Sequence, residues 1–490
     1  MAKFPNSPSY TGPFAPIRIE ADIEDLEIEG EVPEDLDGAF YRVQPDPKFP
    51  PLLGDDIAFN GDGMITMFRF RNGRVDLKQR WVHTDKWKLE KAAGRALFGA
   101  YRNPKWDEPS VKGRYRGTAN TNAFFYGGLL FGLKEDSPPV AMDPNTLETK
   151  GYWDFGGQMT SPTFTAHPKI DPHTGNMCAF GYAAKGLLTR DIVYYEFTPQ
   201  GEKLKEVWFE IPYYAMMHDY GLTKDYACFH VVPCVSSSER LEAGLPHFGF
   251  DTTKEIHLLV LPRNGDARDI RTFTAPNCFA SHVMNAFNDG TKIHFDTPQA
   301  KNNMFPFFPD IHGAPFDGPA SASFLTRWTV DMASNSNEFE KRERLTEFVG
   351  EFPRMDERYA TEPYRHGWLL AMGAGPGARA ALGHVDAATG RARTWQAGAD
   401  RALQEPCFIP KSATTPEGEG YVVQLQQHID DGLSDLLLFD AQRVDEGPMA
   451  TIRIPMRMRF GLHGNWVHGS HLEAAKKGST SNVLPCVPIN

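Results

Sequence analysis

The chain has 490 residues, 41% of them hydrophobic and 23% charged, with 51 Lys and Arg against 63 Asp and Glu for a net charge of −12. This is the composition of an ordinary soluble globular protein, and without a basic block or stripe it argues against a nucleic-acid partner. No run of about 18 apolar residues could span a bilayer, the first eight residues lack the apolar core of a secretory signal, and the six scattered cysteines make neither a disulfide framework nor a CxxC pair, so a reduced, cytoplasmic chain is expected.

Strand and turn signals dominate. Met64–Phe70 and Val75–Val82 flank Asn72-Gly73, the strongest hairpin signal in the chain. Thr84–Tyr101 is the one good helix candidate, with Asp85 early and Lys, Glu, Ala and Leu throughout. Ala123–Tyr126 and Leu129–Leu133 flank Gly127-Gly128, and Val193–Phe197 and Val207–Ile211 flank Gln200-Gly201. A degenerate repeat, an apolar residue then Asp and often Thr-Gly, recurs at Asp143, Asp171 and Asp386 and more weakly at Asp331 and Asp440. Each copy lies between two β-like runs, as expected of outer-strand turns in propeller blades. The repeat is too irregular to count blades. A long Pro/Gly-rich loop covers residues 302–318, of the kind that caps one face of a propeller and builds a site. Aromatics make up 12% of the chain, and its 34 Phe suffice for a large β core or for an apolar cavity. No linker divides the sequence, so one domain is expected over residues 1–490.

Four histidines stand in unusual contexts: Ala166-His167-Pro168, Met217-His218-Asp219, Ser281-His282-Val283 and Leu462-His463-Gly464-Asn465-Trp466. They are too far apart in sequence for one helix or hairpin to carry them. If they converge, they form a neutral imidazole cage, and imidazole suits Fe, Zn, Cu and Ni. Four neutral ligands leave a divalent charge uncompensated, so carboxylates are expected behind them, accepting ring N–H bonds. Glu135, Glu351 and Glu405 lie close to apolar residues or Pro and are candidates; as isolated carboxylates they would face solvent. Spacing alone does not choose among 16 histidines, and His230, His294, His312, His366, His468 and His471 compete on equal terms.

Those four contexts, the Glu351-Phe352-Pro353 and Glu405-Pro406 segments and Leu462–Trp466 resemble the carotenoid cleavage oxygenase superfamily. Within it the closer match is the bacterial stilbene-cleaving branch, the lignostilbene-α,β-dioxygenases. The likeness runs from about Ile17 to Trp466 with the motifs in order. It implies an all-β fold: a seven-bladed β-propeller with a dome of loops and short helices over an axial metal site. It further implies one Fe(II) per chain on His167, His218, His282 and His463, with Glu135, Glu351 and Glu405 as the supporting carboxylates. Thr121 matches the residue whose methyl hinders one vacant metal position.

The implied activity is a dioxygenase that splits the central C=C of a 4-hydroxystilbene of the lignostilbene type with O2, giving two aromatic aldehydes. Lys134 and Tyr101 match the phenol-recognition pair, and Phe59 matches an aromatic wall residue; Phe305 and Phe307 are weaker candidates for the cavity lining. A phenol with a pKa near about 10 resists ionisation, so a neighbouring cation and hydroxyl would push electron density onto the alkene.

Tyr41-Arg42-Val43-Gln44-Pro45-Asp46-Pro47 departs from the Asn-Gly-Pro-Asn-Pro of carotenoid cleavers, and no uncharged amphipathic segment suits a membrane surface. Both favour a soluble aromatic alkene over a polyene. The alternative keeps the iron site and changes the substrate to an apocarotenoid or a phenylpropanoid alkene such as isoeugenol. A non-catalytic binding propeller would leave the histidines unexplained. Related enzymes of the branch are often dimers, which leaves a homodimer open, and residues 467–490 match nothing in the family and stand as a candidate disordered tail.

Overall fold

The computed structural model describes residues 3–373 and 379–476. Seven antiparallel sheets of four or five strands are arranged as the blades of a seven-bladed β-propeller. A separate two-stranded pair, Cys234–Val235 with Gly249–Phe250, belongs to the connecting loops.

The ring is closed twice. Gly464–His468, towards the C-terminal end, supplies the innermost strand of the blade otherwise built from residues 21–23 and 38–81, pairing Gly38 with His468 and Arg42 with Gly464. Ile28–Gly30, near the N-terminus, pairs with Ala450–Ile454 at the outer edge of the blade that precedes it around the ring. Both ends of the chain therefore satisfy backbone groups that a broken ring would leave exposed.

The hairpins follow from turn chemistry. Asn72 and Gly73 have φ of 53° and 72°, the left-handed pair that matches the twist of the strands they join. Gly127 and Gly128 do the same at 57° and 82°. The strand expected from Val207 starts earlier and spans Lys203–Glu210. Its outer position exposes Lys and Glu, and that charge hid its first residues from an apolar pattern.

The helix is shorter than expected, Asp85–Ala93 instead of Thr84–Tyr101. Thr84 accepts a hydrogen bond from the Trp87 N–H at its start, and Gly94 ends it with φ 71°. Tyr101 thus lies in a loop, where its backbone N–H donates to Asp56.

The recurrent Asp turns are borne out with one correction. Asp143, Asp331, Asp386 and Asp440 each separate the third and fourth strands counted from the axis, and each accepts a backbone N–H two residues on. Asp171 instead turns the innermost strand, Lys169–Ile170, into Met177–Tyr182.

The C-terminal reading also needs correction. Residues 467–476 are ordered, ending the innermost strand Gly464–His468 and forming the helix Gly469–Lys476 with Leu472 buried. Residues 477–490 lie outside the described residues. No helix among the described residues is long and apolar enough to cross a membrane.

The phenylalanines pack both in the core and beneath the long loop. Phe68 and Phe70 are core residues between blades. Phe59, Phe305 and Phe307 form a partly buried cluster under the loop 302–318, with Phe59 edge-on to Phe305 at 5.8 Å and to Phe307 at 5.1 Å.

Two of the competing histidines, His230 and His366, have structural roles. His230 packs on Phe295 and Trp328, and His384 bonds His366 at 3.0 Å. Burial pushes the His384 imidazole down to about 4. The folded state then binds fewer protons than the unfolded state between pH 6.5 and 4. This stabilisation, on the order of 3 kcal/mol, is complete above 6.5 and lost as pH falls towards 4. His384→Gln is expected to narrow the gap in unfolding free energy between pH 7.5 and pH 4.5 by about 2 kcal/mol. An unchanged gap in urea titrations at the two pH values would remove His384 as its cause.

Candidate metal centre and phenol pocket

His167 precedes the inner strand Lys169–Ile170, His218 precedes Gly221–Leu222, His282 lies between Phe279–Ala280 and Asn285–Asp289, and His463 precedes Gly464–His468. Those strands are the innermost of four blades, so equivalent positions meet at the axis. The four rings each offer a nitrogen, all within 4.8 Å of one another. His218 Nε2 is 3.1 Å from both His167 Nε2 and His282 Nε2.

Three carboxylates fix the tautomers. His218 Nδ1 donates to Glu135 at 2.6 Å, His282 Nδ1 to Glu351 at 2.6 Å and His463 Nδ1 to Glu405 at 2.8 Å. With Nδ1–H engaged, each neutral ring turns its Nε2 lone pair inward. Lone pairs of His218 and His282 that face each other at 3.1 Å repel unless a cation lies between them. The donor set therefore fits a divalent metal such as iron.

The carboxylates are held ionised. Burial would raise the Glu135 carboxyl, but the His218 ring N–H and the Lys134 ammonium outweigh it and hold the group well below its usual range. Burial is likewise outweighed at Glu351 by His282 and at Glu405 by His463 and Arg354, so both are lowered. Glu351 and Glu405 sit on innermost strands at bulges, where the register shifts between Glu351 and Arg354 and between Leu403 and Pro406. Pro353 and Pro406 have no N–H for the ladder, which makes a bulge the natural local solution and turns the adjacent Glu to the axis.

His167 has no such glutamate. The nearest acid is Asp219, whose Oδ2 is 3.9 Å from His167 Nδ1. Asp219 accepts from the Tyr220 and Val283 N–H groups, each at 2.8 Å, and pairs with Lys169 at 2.8 Å. It ties together the segments that carry His167, His218 and His282. The sequence reading passed over it, although its place directly after His218 was a usable signal. Asp219→Asn is expected to lower stability by about 2 kcal/mol through weakened charged hydrogen bonds. Differential scanning calorimetry would show a lower Tm, and an unshifted Tm would disprove the tie.

Lys134 and Tyr101 meet as expected from the resemblance: the ammonium lies over the Tyr101 ring, 4.6 Å from its centre. The Lys134 side chain is 4% exposed, and its nearest carboxylate oxygen, Glu135 Oε2, is 3.9 Å away, beyond a hydrogen bond. No hydrogen-bond acceptor for Lys134 Nζ exists among the described residues. Burial lowers its pKa from the ordinary lysine value. Burial pushes the Tyr101 phenol far up, so it remains an O–H donor at neutral pH.

Phe59 and Phe305 share the apolar cluster that contains Tyr101. Thr121 gives its hydroxyl hydrogen to Asn120 at 3.1 Å, while its carbonyl accepts from the His463 N–H. Phe352 was missed. Its backbone is left-handed, φ 51°, and its ring stands 5.0 Å from that of His282 and 5.4 Å from that of His463. A cavity of about 450 Å³ reaches His167, His282 and His463 from a side lined by Lys169, Arg354 and Arg358. Phe59, Tyr101, Lys134 and Phe305 do not line it.

Four axial imidazoles backed by three anionic carboxylates inside a closed seven-bladed ring define a propeller-class protein with an axial site that could hold a metal ion. Residues 14–468 match the family model described as retinal pigment epithelial membrane protein, and the chain belongs to that family, the carotenoid cleavage oxygenases. It is 54% identical to lignostilbene-α,β-dioxygenase isozyme III of Sphingomonas paucimobilis, over 97% of this chain and 100% of that protein. It is 41% identical to isoeugenol monooxygenase of Pseudomonas nitroreducens, over 94% of this chain and 98% of that protein. Among solved structures, the lignostilbene dioxygenase of Pseudomonas brassicacearum superposes with a TM-score of 0.92 at 43% identity, covering 96% of this chain and 100% of that one.

Proposed function

We propose that the chain is an Fe(II) dioxygenase that cleaves the central C=C of 4-hydroxystilbenes with O2 and releases two aromatic aldehydes. The observation that carries the reading is Lys134, a buried ammonium with no hydrogen-bond acceptor beside a metal-ready four-histidine cage. A buried ammonium whose hydrogen-bond donors are unused, beside an apolar aromatic cluster, is complementary to one phenolic oxygen.

Held by His167, His218, His282 and His463, a ferrous ion would supply the redox chemistry that makes O2 reactive towards the alkene. No external reductant is needed, because the alkene supplies the four electrons that O2 takes up. The chain's own residues do the rest. Lys134 stabilises negative charge on the phenolic oxygen, and the Tyr101 hydroxyl donates to it. Electron density then moves through the ring to the central carbons. Phe59 and Phe305 wall the ring and exclude water, and the Thr121 methyl restricts one side of the metal. Glu135, Glu351 and Glu405 keep their histidines neutral and oriented.

The isoeugenol monooxygenase relatives favour a second reading, a phenylpropanoid alkene as substrate. Both substrates carry a para-hydroxyl, so Lys134 serves either. The deciding experiment is aerobic incubation of iron-loaded protein with 4-hydroxystilbene and with isoeugenol, with products identified by mass. Equal amounts of two aldehydes from the stilbene support the proposal. Cleavage of isoeugenol alone transfers the site to phenylpropanoids, and cleavage of neither overturns both.

A further inference from the structure

The cavity of about 450 Å³ that reaches the cage lies on the side away from Lys134. Its walls follow the chain onward from three of the histidines: Lys169 and Ile170 after His167, Met284 and Asn285 after His282, and Asn465 after His463. Strand register gives the direction. Asn122 pairs with Leu133 and Tyr126 with Leu129, so Lys134 stands past the Asn122 end of that hairpin. Phe124, which lines the cavity, lies the other way along it, towards the Gly127-Gly128 turn. The cage thus has two approaches, a phenol side and an axial side.

Phe124, Ile170, Leu222 and Met284 make part of the axial wall apolar. Its charged and amide groups are engaged with one another: Lys169 with Asp219 at 2.8 Å, Arg354 with Glu357 at 2.6 Å, and Asn465 with Asn122 at 2.9 Å. A phenol finds no unpaired cation among them. Water beside groups already satisfied is loosely held, and a small neutral molecule displaces it readily.

A segment of chain crosses the far end of this cavity. Residues 356–365 leave the innermost strand Val349–Met355 and return as His366–Met372, and Ala360 and Thr361 line the cavity. Asn285 holds the segment from another blade, donating to the Glu362 carbonyl at 2.9 Å and accepting from the Thr361 N–H at 3.2 Å. The Glu362 carboxylate then meets His173 Nε2 at 2.9 Å. His173 stands in the turn after Lys169–Ile170, in the blade of residues 169–210, while Glu362 belongs to the blade of residues 349–396. Around the ring two blades separate them on one side and three on the other, so the contact spans the axis. The two side chains are 46% and 39% exposed, and such a pair is weak. Thr361 is left-handed, φ 71°, which is rare for a β-branched residue, and its hydroxyl is buried without a partner. A strained segment held by a weak contact opens easily.

We propose that the axial cavity is the entrance for O2 and that residues 356–365, latched by Glu362 to His173, are its gate. A stilbene held by Lys134 fills the phenol side of the cage, and the axial side is the approach it leaves open to a small apolar gas. The inference rests on the iron and 4-hydroxystilbene readings given above.

Nitric oxide, a small gas that binds ferrous iron and changes its absorbance, reports on the route without turnover. It is mixed by stopped flow, with O2 excluded, into iron-loaded protein saturated with 4-hydroxystilbene. Ile170→Trp fills the cavity and should slow nitric oxide association about tenfold. Glu362→Ala releases the gate and should speed it about threefold, since entry scales with the open fraction. An unchanged rate in Ile170→Trp overturns the route. A slowed Ile170→Trp with an unchanged Glu362→Ala overturns the gate alone. In aerobic turnover Ile170→Trp should raise KM for O2 and leave KM for the stilbene unchanged. A rise in both overturns the route, since general damage to the site would produce it. If Ile170→Trp does not fold, xenon under pressure decides in crystals of the native protein: xenon beside Ile170 and Met284 supports the route, and an empty cavity overturns it. The levels stay separate. Native protein that binds no iron or cleaves no stilbene defeats the reading beneath, whereas native protein that cleaves the stilbene with none of these effects defeats only the axial entrance.

Discussion

Lys134→Met is expected to lower kcat/KM for a 4-hydroxystilbene by about a hundred- to a thousandfold, with iron content unchanged. The magnitude is that of removing one preorganised donor at a site of developing negative charge, about 2.7–4 kcal/mol. Methionine has nearly the length and flexibility of the lysine stem, so packing on the Tyr101 ring is largely kept and the charge alone is removed. Steady-state kinetics with parallel metal analysis would check this. Wild-type turnover in the variant would end the phenolate-stabilising role, whatever the iron content. A fall in iron content would instead assign Lys134 to Glu135, 3.9 Å away, and through it to His218.

The larger effect is expected at the cage. His463→Ala should abolish turnover, a loss above a thousandfold, and lower bound iron from about one per chain to near zero. Its Nε2 leaves the cluster, and Glu405 loses the ring N–H that accompanies its bonds to the Gly464 N–H and to Arg354. A buried carboxylate with fewer partners costs stability as well as metal. Glu351→Gln should act more mildly, weakening iron retention about 10- to 100-fold. The amide can still accept from His282 Nδ1 but brings no negative charge. Metal analysis after dialysis against a weak chelator distinguishes the two. Full retention of iron in His463→Ala would remove that residue from the ligand set.

Part of this was legible in the residues themselves. Asn72-Gly73 and Gly127-Gly128 announce their hairpins because left-handed φ is a local requirement that few residues meet. Thr84 announces a helix start for the same reason, and Gly94 should have been given equal weight as its stop. The family resemblance selected four of 16 histidines. Spacing could not, because His230 and His384 have equally strand-like surroundings and differ only in what packs on them. Asp219 escaped because its value is a convergence: a backbone N–H beside His282, one beside His218 and the Lys169 ammonium, none of which lies near all the others in sequence.

Local chemistry is thus what the sequence by itself determined: strand alternation, turn residues, imidazole contexts and the proline-flanked Glu351 and Glu405 as candidate supporting carboxylates. These depend on a few neighbouring residues and survive without a fold. The tertiary structure alone decided how the ring closes, with residues 464–468 as an innermost strand whose last two residues, 467 and 468, read from sequence as the start of a loose tail. It decided that four blades bring their histidines to one axis, and that Lys134 is buried over the Tyr101 ring beside Glu135. Burial and charge balance are sums over residues remote in the chain, so no local pattern encodes them.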